Sequence, residues 1–214
     1  DYGLDSNIPL DWHYVKREAG AGALADLGTH VIDAARFLVG EIKNVCGTSR
    51  IIIKDRPMPN DSSKRGLVEN DDEFAAHIEF EDGIKGSIEA SRITAGNFCN
   101  QYIEVNGDEG SLYWSQLRPN ELNIYTIKNN ENSGFKRILV SKPTHPYIND
   151  FYYGSMISVA EGFVIAMYEF IESVKANRDF IPSFYDGAVN LGVIEGILKS
   201  IQSERWIQVP QIQK

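Results

Sequence analysis

The sequence predicts an α+β fold in which helices pack on one face of an open, mostly antiparallel β-sheet. Three observations lead to this prediction. Apolar residues recur at helical spacing over residues 22–39, strand-like alternation dominates residues 43–141, and helical spacing returns over residues 156–203. One helix, a run of hairpins and two further helices are typical of a sheet covered on a single face. No linker interrupts residues 1–214, so we expect a single domain.

The first 20 residues are predicted to form an extended arm anchored by Pro9, Trp12 and Tyr14. A helix over residues 22–39 follows, and Gly40 stands where a helix C-terminal glycine is expected. The helix is indicated by six apolar residues at helical spacing: Leu24, Leu27, Val31, Ala34, Ala35 and Leu38.

The sheet is indicated most clearly by residues 74–80, where apolar and other residues alternate. Asp82-Gly83 then predicts a tight hairpin. Phe74 and Phe80 are expected to face the helices. Residues 54–70 contain Pro57 and Pro59 and are predicted to form a loop.

The other face of the sheet is predicted to be polar. It is therefore either solvated or an oligomer contact, and we expect a homo-oligomer through this open face. The residues that indicate its polarity are Lys85, Ser87, Glu89 and Ser91.

Two helices are expected near the end of the chain. Asp186 is a candidate cap for the second, over residues 187–203, and a short strand over residues 206–209 follows. One face of the first helix is traced by Val159, Phe163, Met167, Phe170 and Val174.

A polar stripe on the first predicted helix is the main candidate for chemistry. Asp26 and His30 are four residues apart, and Asp33 follows three residues later. Side chains at these spacings are neighbours, with about 5–6 Å between Cβ atoms. Histidine is the usual proton acceptor near neutral pH, and a nearby carboxylate can orient it. The alternative is that the stripe only solvates the helix or satisfies a half-buried imidazole.

The same segment carries partial signals for two kinds of cofactor, a dinucleotide and a metal ion. Gly20 and Gly22 lack a third glycine and a preceding strand, so they do not form a dinucleotide cradle. They either permit close approach of the helix start to another group or relax the turn. A metal held by Asp26, His30 and Asp33 is a weak alternative, since no cysteine pair joins them. We therefore expect no metal.

Bulk properties exclude several functions. The net charge of −9 argues against a nucleic-acid surface, which needs clustered Lys and Arg. No apolar run approaches the roughly 18 residues that span a membrane, so no membrane association is expected. Two cysteines are too few for a disulfide framework, and a reducing cytoplasm fits best.

Ligand recognition is suggested by an aromatic and polar loop over residues 144–155, although a packed surface loop explains each residue equally well. Lys16 and Arg92 are similarly ambiguous, because each cation can face a cleft or pair with an acid. The loop residues concerned are His145, Tyr147, Asn149, Asp150, Tyr152 and Tyr153.

The stretch from Trp12 to Asp33, with its Asp-x-Gly-x-His piece, resembles the start of the C-terminal domain of the glucose–fructose oxidoreductase, inositol dehydrogenase and rhizopine-catabolism (Gfo/Idh/MocA) oxidoreductase family. Residues 80–92, 107–112 and 182–187 are similar to later blocks of that domain, in the same order. The resemblance implies an NAD- or NADP-dependent oxidoreductase of sugars, cyclitols and related polyols.

The resemblance also implies roles for individual residues. His30 would exchange the proton of the oxidised hydroxyl, and Asp26 would hold the substrate or orient His30. Trp12 would adjoin the cofactor. The remaining hydroxyls would be bound by Lys16, Arg92, His145 and Tyr147.

The sequence departs from the family pattern because it contains no Rossmann domain. Hydride transfer requires the nicotinamide to be placed against the substrate carbon. We therefore expect the chain to be the substrate-binding and oligomerisation half of a dehydrogenase, with no cofactor bound tightly on its own. A non-catalytic scaffold or ligand-sensing domain of the same fold is the alternative.

Overall fold

A computed structural model describes residues 2–128, 134–147 and 157–212. The chain forms two compact units. The first comprises Asp1–Phe98 and Pro182–Lys214, and the second comprises Cys99–Ile181.

The helices and strands of the first unit follow a short 3₁₀ turn at Trp12–Tyr14. The helices are α1 (Lys16–Ala19), α2 (Ala23–Asp26), α3 (Gly28–Val39) and α5 (Phe184–Ser203). The strands are β1 (Ile42–Arg50), β2 (Asp55–Met58), β3 (Asp61–Leu67), β4 (Glu73–Phe80), β5 (Lys85–Ser91) and β10 (Ile207–Gln208).

The main sheet of this unit has the strand order β10-β1-β4-β5, with antiparallel pairing throughout. Helices α3 and α5 cover one face of it, and Phe74 and Phe80 are buried on that face as predicted. The predicted α+β fold with an open antiparallel sheet is therefore confirmed. The core between sheet and helices includes Leu24, Ile32, Val45, Ile78, Val193 and Ile197.

The open face carries the predicted polar side chains. Lys85, Ser87 and Glu89 are exposed, and Ser91 is partly buried. On the neighbouring strand β4, Ala75 and His77 lie opposite Glu89 and Ser87. The period of two along each strand thus separates the apolar core face from the polar face.

The predicted loop over residues 54–70 is wrong, because β2 and β3 form an antiparallel hairpin there. Pro57 lies in β2 beside a shift of register, and its carbonyl accepts a hydrogen bond from Leu10 N at 2.8 Å. Proline is tolerated in a two-stranded ribbon at such an irregularity, since it lacks only the N–H donor.

The predicted helix over residues 22–39 is divided at Leu27 into α2 and α3. Leu27 keeps a right-handed helical conformation, with φ −91° and ψ −35°, so the apolar spacing continues across the division. The start of α2 is capped from far along the chain. Asp71 accepts hydrogen bonds from Gly22 N at 2.7 Å and Leu24 N at 2.8 Å.

The two glycines before α2 have different roles. Gly20 has φ +76°, which favours glycine in the turn after α1. Gly22 instead permits close approach, because a Cβ built on it would lie 1.9 Å from the Asp71 carbonyl oxygen. Both alternatives considered for this pair therefore occur, one at each glycine.

Gly22→Ala is expected to lower the free energy of unfolding in urea by about 3 kcal/mol, the upper end for overpacking a tight contact. The added methyl group meets main-chain atoms of Asp71, which cannot move aside like a flexible side chain. Gly187→Ala is the matched control, because its Cβ meets open space inside α5 and alanine favours a helix. Equal stability of the two variants would contradict the close-approach explanation.

The described part of the second unit contains one helix and a four-stranded antiparallel sheet, in which each strand pairs with the next along the chain. The bounds are β6 (Tyr102–Asn106), β7 (Gly110–Ser115), β8 (Glu121–Thr126), β9 (Lys136–Leu139) and α4 (Val159–Lys175). The residues predicted to trace one face of α4 are largely exposed: Val159, Phe163, Met167, Phe170 and Val174.

The cap predicted for the last helix is wrong by three residues. Ser183 is the N-cap of α5, and Asp186 occupies the third helical position. The Asp186 carboxylate accepts a hydrogen bond from Ser183 N at 2.6 Å, completing a capping box. Ser183 and Asp186 thus form a capping box with S-x-x-D spacing. Ser183 is the N-cap, and the carboxylate of Asp186 accepts a hydrogen bond from its backbone N–H.

Candidate active site

A cleft with a volume of 290 Å³ lies in the first unit, between the N-terminal segment and the end of α2. It has both carboxylate and aromatic walls, which suit recognition of a small hydroxylated ligand. The residues that line it are Tyr2, Ile8, Asp11, His13, Tyr14 and Asp26.

Asp26 is the last residue of α2 and has an exposed side chain on this cleft. Its Oδ2 accepts a hydrogen bond from the Tyr2 hydroxyl at 2.6 Å. Partial burial of the phenol raises the pKa of Tyr2 above its ordinary value, and this hydrogen bond raises it further. Tyr2 is therefore a neutral hydrogen-bond donor to the carboxylate at physiological pH.

His30 lies in the first turn of α3 with an exposed side chain. Its backbone N–H donates to Leu27 O at 3.2 Å, so the helical path continues across the division between the helices. His30 therefore keeps the predicted one-turn spacing from Asp26. His30 is not among the residues that line the cleft, so its role in proton transfer stays a prediction.

Asp33, the third member of the predicted stripe, has a structural contact instead. Its Oδ1 accepts a hydrogen bond from Asn190 Nδ2 at 2.8 Å, and Asn190 Oδ1 accepts one from Arg36 Nη1 at 2.6 Å. Arg36 also forms two hydrogen bonds of 2.8 Å to the carboxylate of Glu41. This network of hydrogen bonds joins α3 to α5. Because Asp33 belongs to it, only Asp26 and His30 remain as candidates for proton transfer on the predicted polar stripe.

Arg92 was predicted to bind substrate, and the structure does not place it on the cleft. Its side chain is only 1% exposed, and Nε donates to Asp72 Oδ1 at 2.9 Å. The guanidinium carbon lies over the Tyr14 ring, 4.4 Å from its centroid. Arg92 therefore supports the cleft wall from behind, and its acid partner is buried.

Trp12 and Lys16 lie on the segment that leads into α2. Trp12 is 55% exposed, and its ring stacks on that of His13 with 3.7 Å between centroids. His13 lines the cleft and its Nδ1 lies 2.9 Å from Asp11 Oδ1. Lys16 is exposed and its backbone N–H donates to Glu69 at 2.8 Å. The assignments of Trp12 to cofactor and Lys16 to substrate stay predictions.

His145 and Tyr147 belong to the second unit. His145 is partly buried, and its Nδ1 accepts a hydrogen bond from Lys142 N at 3.1 Å. Tyr147 is exposed and has φ +63°. Their assignment to substrate binding stays a prediction. Four further loop residues lie outside the described residues: Asn149, Asp150, Tyr152 and Tyr153.

Sequence reasoning missed Tyr2 and His13 on the cleft and Asp71 and Asp72 behind it. Asn70-Asp71-Asp72 directly before an apolar strand is a signal that was available, since buried acids must find partners. Across the ranges that the structure describes, no group of three or more His, Cys, Asp or Glu is placed to hold a metal ion. None of the helices described is long and apolar enough to cross a membrane.

Comparisons with known proteins agree with this architecture. Residues 6–209 match the model of an oxidoreductase family's C-terminal alpha/beta domain, that of Gfo/Idh/MocA. The chain is similar to levoglucosan dehydrogenase of Pseudarthrobacter phenanthrenivorans, with 33% identity over 99% of the chain and 58% of that protein. It is also similar to inositol 2-dehydrogenase of Rhizobium meliloti, with 26% identity over 94% of the chain and 52% of that protein.

A solved structure is similarly close. Levoglucosan dehydrogenase in complex with NADH and L-sorbose superposes with a TM-score of 0.93 and 34% identity. The match covers 99% of this chain and 56% of that one. The chain thus spans little more than half the length of the proteins it resembles.

Proposed function

The chain belongs to the Gfo/Idh/MocA oxidoreductase family, and from that premise we propose that it is the substrate-binding half of an NAD- or NADP-dependent dehydrogenase. The substrate is a sugar, cyclitol or related polyol. One observation carries the proposal: Asp26 lies on a cleft of 290 Å³, one helical turn before His30. Relatives named for levoglucosan and inositol support this substrate class.

The proposed chemistry of this chain is proton removal. As hydride leaves the carbon that bears the reacting hydroxyl, the hydroxyl proton passes to the imidazole of His30, and a C=O bond forms. Asp26 accepts a hydrogen bond from the substrate or orients His30. A positioned general base of this kind contributes about 10²- to 10⁴-fold to the rate.

The nicotinamide dinucleotide supplies the hydride acceptor, and we assign its main binding site to a part of the protein beyond this chain. A dinucleotide cradle places a glycine-rich turn between a strand and a helix. Here helix α1 precedes Gly20, and the space beside Gly22 is filled by Asp71. Trp12 is proposed to adjoin the nicotinamide end, and this chain does not choose between NAD and NADP.

Assembly and location are proposed on separate grounds. The open sheet face bearing Lys85, Ser87 and Glu89 is proposed as the contact of a homo-oligomer, which sedimentation of the full-length protein tests. Cys46 and Cys99 are free thiols, which suits the reducing cytoplasm.

The test compares the full-length protein with the isolated 214-residue chain. Each is mixed with NAD⁺ or NADP⁺ and a panel of sugars and cyclitols, and the absorbance of the reduced cofactor is followed. We expect activity only in the full-length protein. Sugar binding by calorimetry without cofactor reduction in the full-length protein would instead favour a ligand-sensing domain.

A further inference from the structure

We propose that Tyr2 is a positioning residue for Asp26 in the reaction of this cleft, an inference that rests on the proposed function. The Tyr2 hydroxyl donates to Asp26 Oδ2 at 2.6 Å. That distance is in the range of strong hydrogen bonds from a hydroxyl to a carboxylate. One carboxylate oxygen is thereby committed to Tyr2. Oδ1 is left to face the substrate or His30.

The protonation state of Tyr2 suits this role. Partial burial raises the pKa of the Tyr2 phenol above its ordinary value, and the hydrogen bond and charge of Asp26 act in the same direction. The Arg92 guanidinium acts in the opposite direction but does not outweigh them. The Tyr2 hydroxyl therefore remains protonated, and able to donate to Asp26, around neutral pH.

The main chain next to Tyr2 is held in place by two buried arginines. Gly3 N donates to Arg92 O at 2.9 Å, and Gly3 O accepts from Arg56 Nη2 at 2.5 Å. Arg56 Nη1 also donates to Asp5 O at 2.7 Å. Gly3 is buried, and a Cβ on it would lie 3.1 Å from Arg92 Cγ. The N-terminal segment is thus anchored immediately beside the Tyr2 side chain.

The same two arginines support the aromatic wall of the cleft. The guanidinium carbons of Arg56 and Arg92 lie 4.0 and 4.4 Å from the centroid of the Tyr14 ring. Cations at such distances are attracted to an aromatic face. One buried cluster therefore fixes both Tyr14 and the segment that carries Tyr2. This links the wall of the cleft to the orientation of Asp26.

The experiment uses the full-length protein with Tyr2→Phe, and with Tyr102→Phe as the matched control. Tyr102 also donates to a carboxylate, Glu104, at 2.9 Å, but it lies in the second unit on an exposed strand. We expect Tyr2→Phe to lower kcat about tenfold, the cost of one hydrogen bond to a charged group, with little change in KM or Tm. Tyr102→Phe is expected to leave kcat unchanged.

A second readout reports the hydrogen bond itself. In each background, the ultraviolet titration of Tyr2 is the difference between the protein that has Tyr2 and the same protein with Tyr2→Phe. This titration is expected to lie at lower pH in the Asp26→Asn background than in wild type, because the carboxylate that raises the pKa of Tyr2 is gone. Unchanged kcat in Tyr2→Phe, with an active wild-type protein, would overturn the positioning role alone. A wild-type protein that reduces neither cofactor would overturn the proposed function, and this inference with it.

Discussion

Replacing Asp72 with alanine is expected to lower the free energy of unfolding by about 3–5 kcal/mol, as measured by urea denaturation. The variant leaves the Arg92 guanidinium, which is 1% exposed, without the carboxylate that lies 2.9 Å from its Nε. It also removes the acceptor of the backbone N–H groups of Ile52 and Ile53. A buried charge and two partly buried backbone donors lose a partner in one step.

Glu73→Ala is the matched control on the next residue. Glu73 pairs with Arg50 at 3.8 Å on the protein surface, and exposed ion pairs contribute about 0–1 kcal/mol. The double variant Asp72→Ala/Arg92→Met is expected to regain part of the lost stability, because no charge is left buried. Similar losses in Asp72→Ala and Glu73→Ala would show that the Arg92–Asp72 pair does not stabilise the fold.

The same pair explains why part of the site was not predictable from sequence. In the sequence, Arg92 is a cation at the end of a predicted strand, and that position is compatible with either a ligand contact or an ion pair. The antiparallel pairing of β4 and β5 determines which acid it contacts. Glu73 lies opposite Ser91, so the next residues at these strand ends, Asp72 and Arg92, are neighbours. A pairing between positions 20 residues apart has no local pattern, so the sequence alone does not distinguish the two roles.

Local sequence patterns predicted the structure correctly where a single strand or turn determines it. Alternation placed Phe74 and Phe80 on the core face, and Asp82-Gly83 forms a turn with Gly83 at φ +80°. The capping of α2 by Asp71 depends instead on residues 49 positions apart. The prolines in residues 54–70 led to the prediction of a loop. The energetic cost of a proline in a strand depends on how that strand is paired, and the pairing is specified only by the folded hairpin.

Asp33 shows the same limit on a single helix. Spacing puts Asp26, His30 and Asp33 on one stripe, but it does not show what packs against each member. Helix α5 brings Asn190 to Asp33, while the end of α2 opens on the cleft. The family resemblance implied the roles of Asp26 and His30. The fold then showed that Asp26 lies on the cleft, whereas Asp33 belongs to the contact between helices.

Replacing His30 with alanine in the full-length protein is expected to lower kcat about 10²- to 10⁴-fold, the usual contribution of a positioned proton acceptor. KM for the polyol is expected to change much less, because the lost interaction develops as the hydroxyl proton leaves. Stability is expected to stay near that of wild type, since the His30 side chain is exposed. Steady-state kinetics with the best substrate of the panel measure both constants.

Asp33→Asn is the control that separates chemistry from helix packing, because Asp33 is on the same helix but bonded to Asn190. An amide in place of the carboxylate can turn its oxygen to Asn190 Nδ2, so kcat is expected to stay within about threefold of wild type. If Asp33→Asn lost as much activity as His30→Ala, the stripe would act through helix packing. If His30→Ala kept its rate, proton transfer would have to be assigned to a group that lines the cleft, of which His13 is the first to replace.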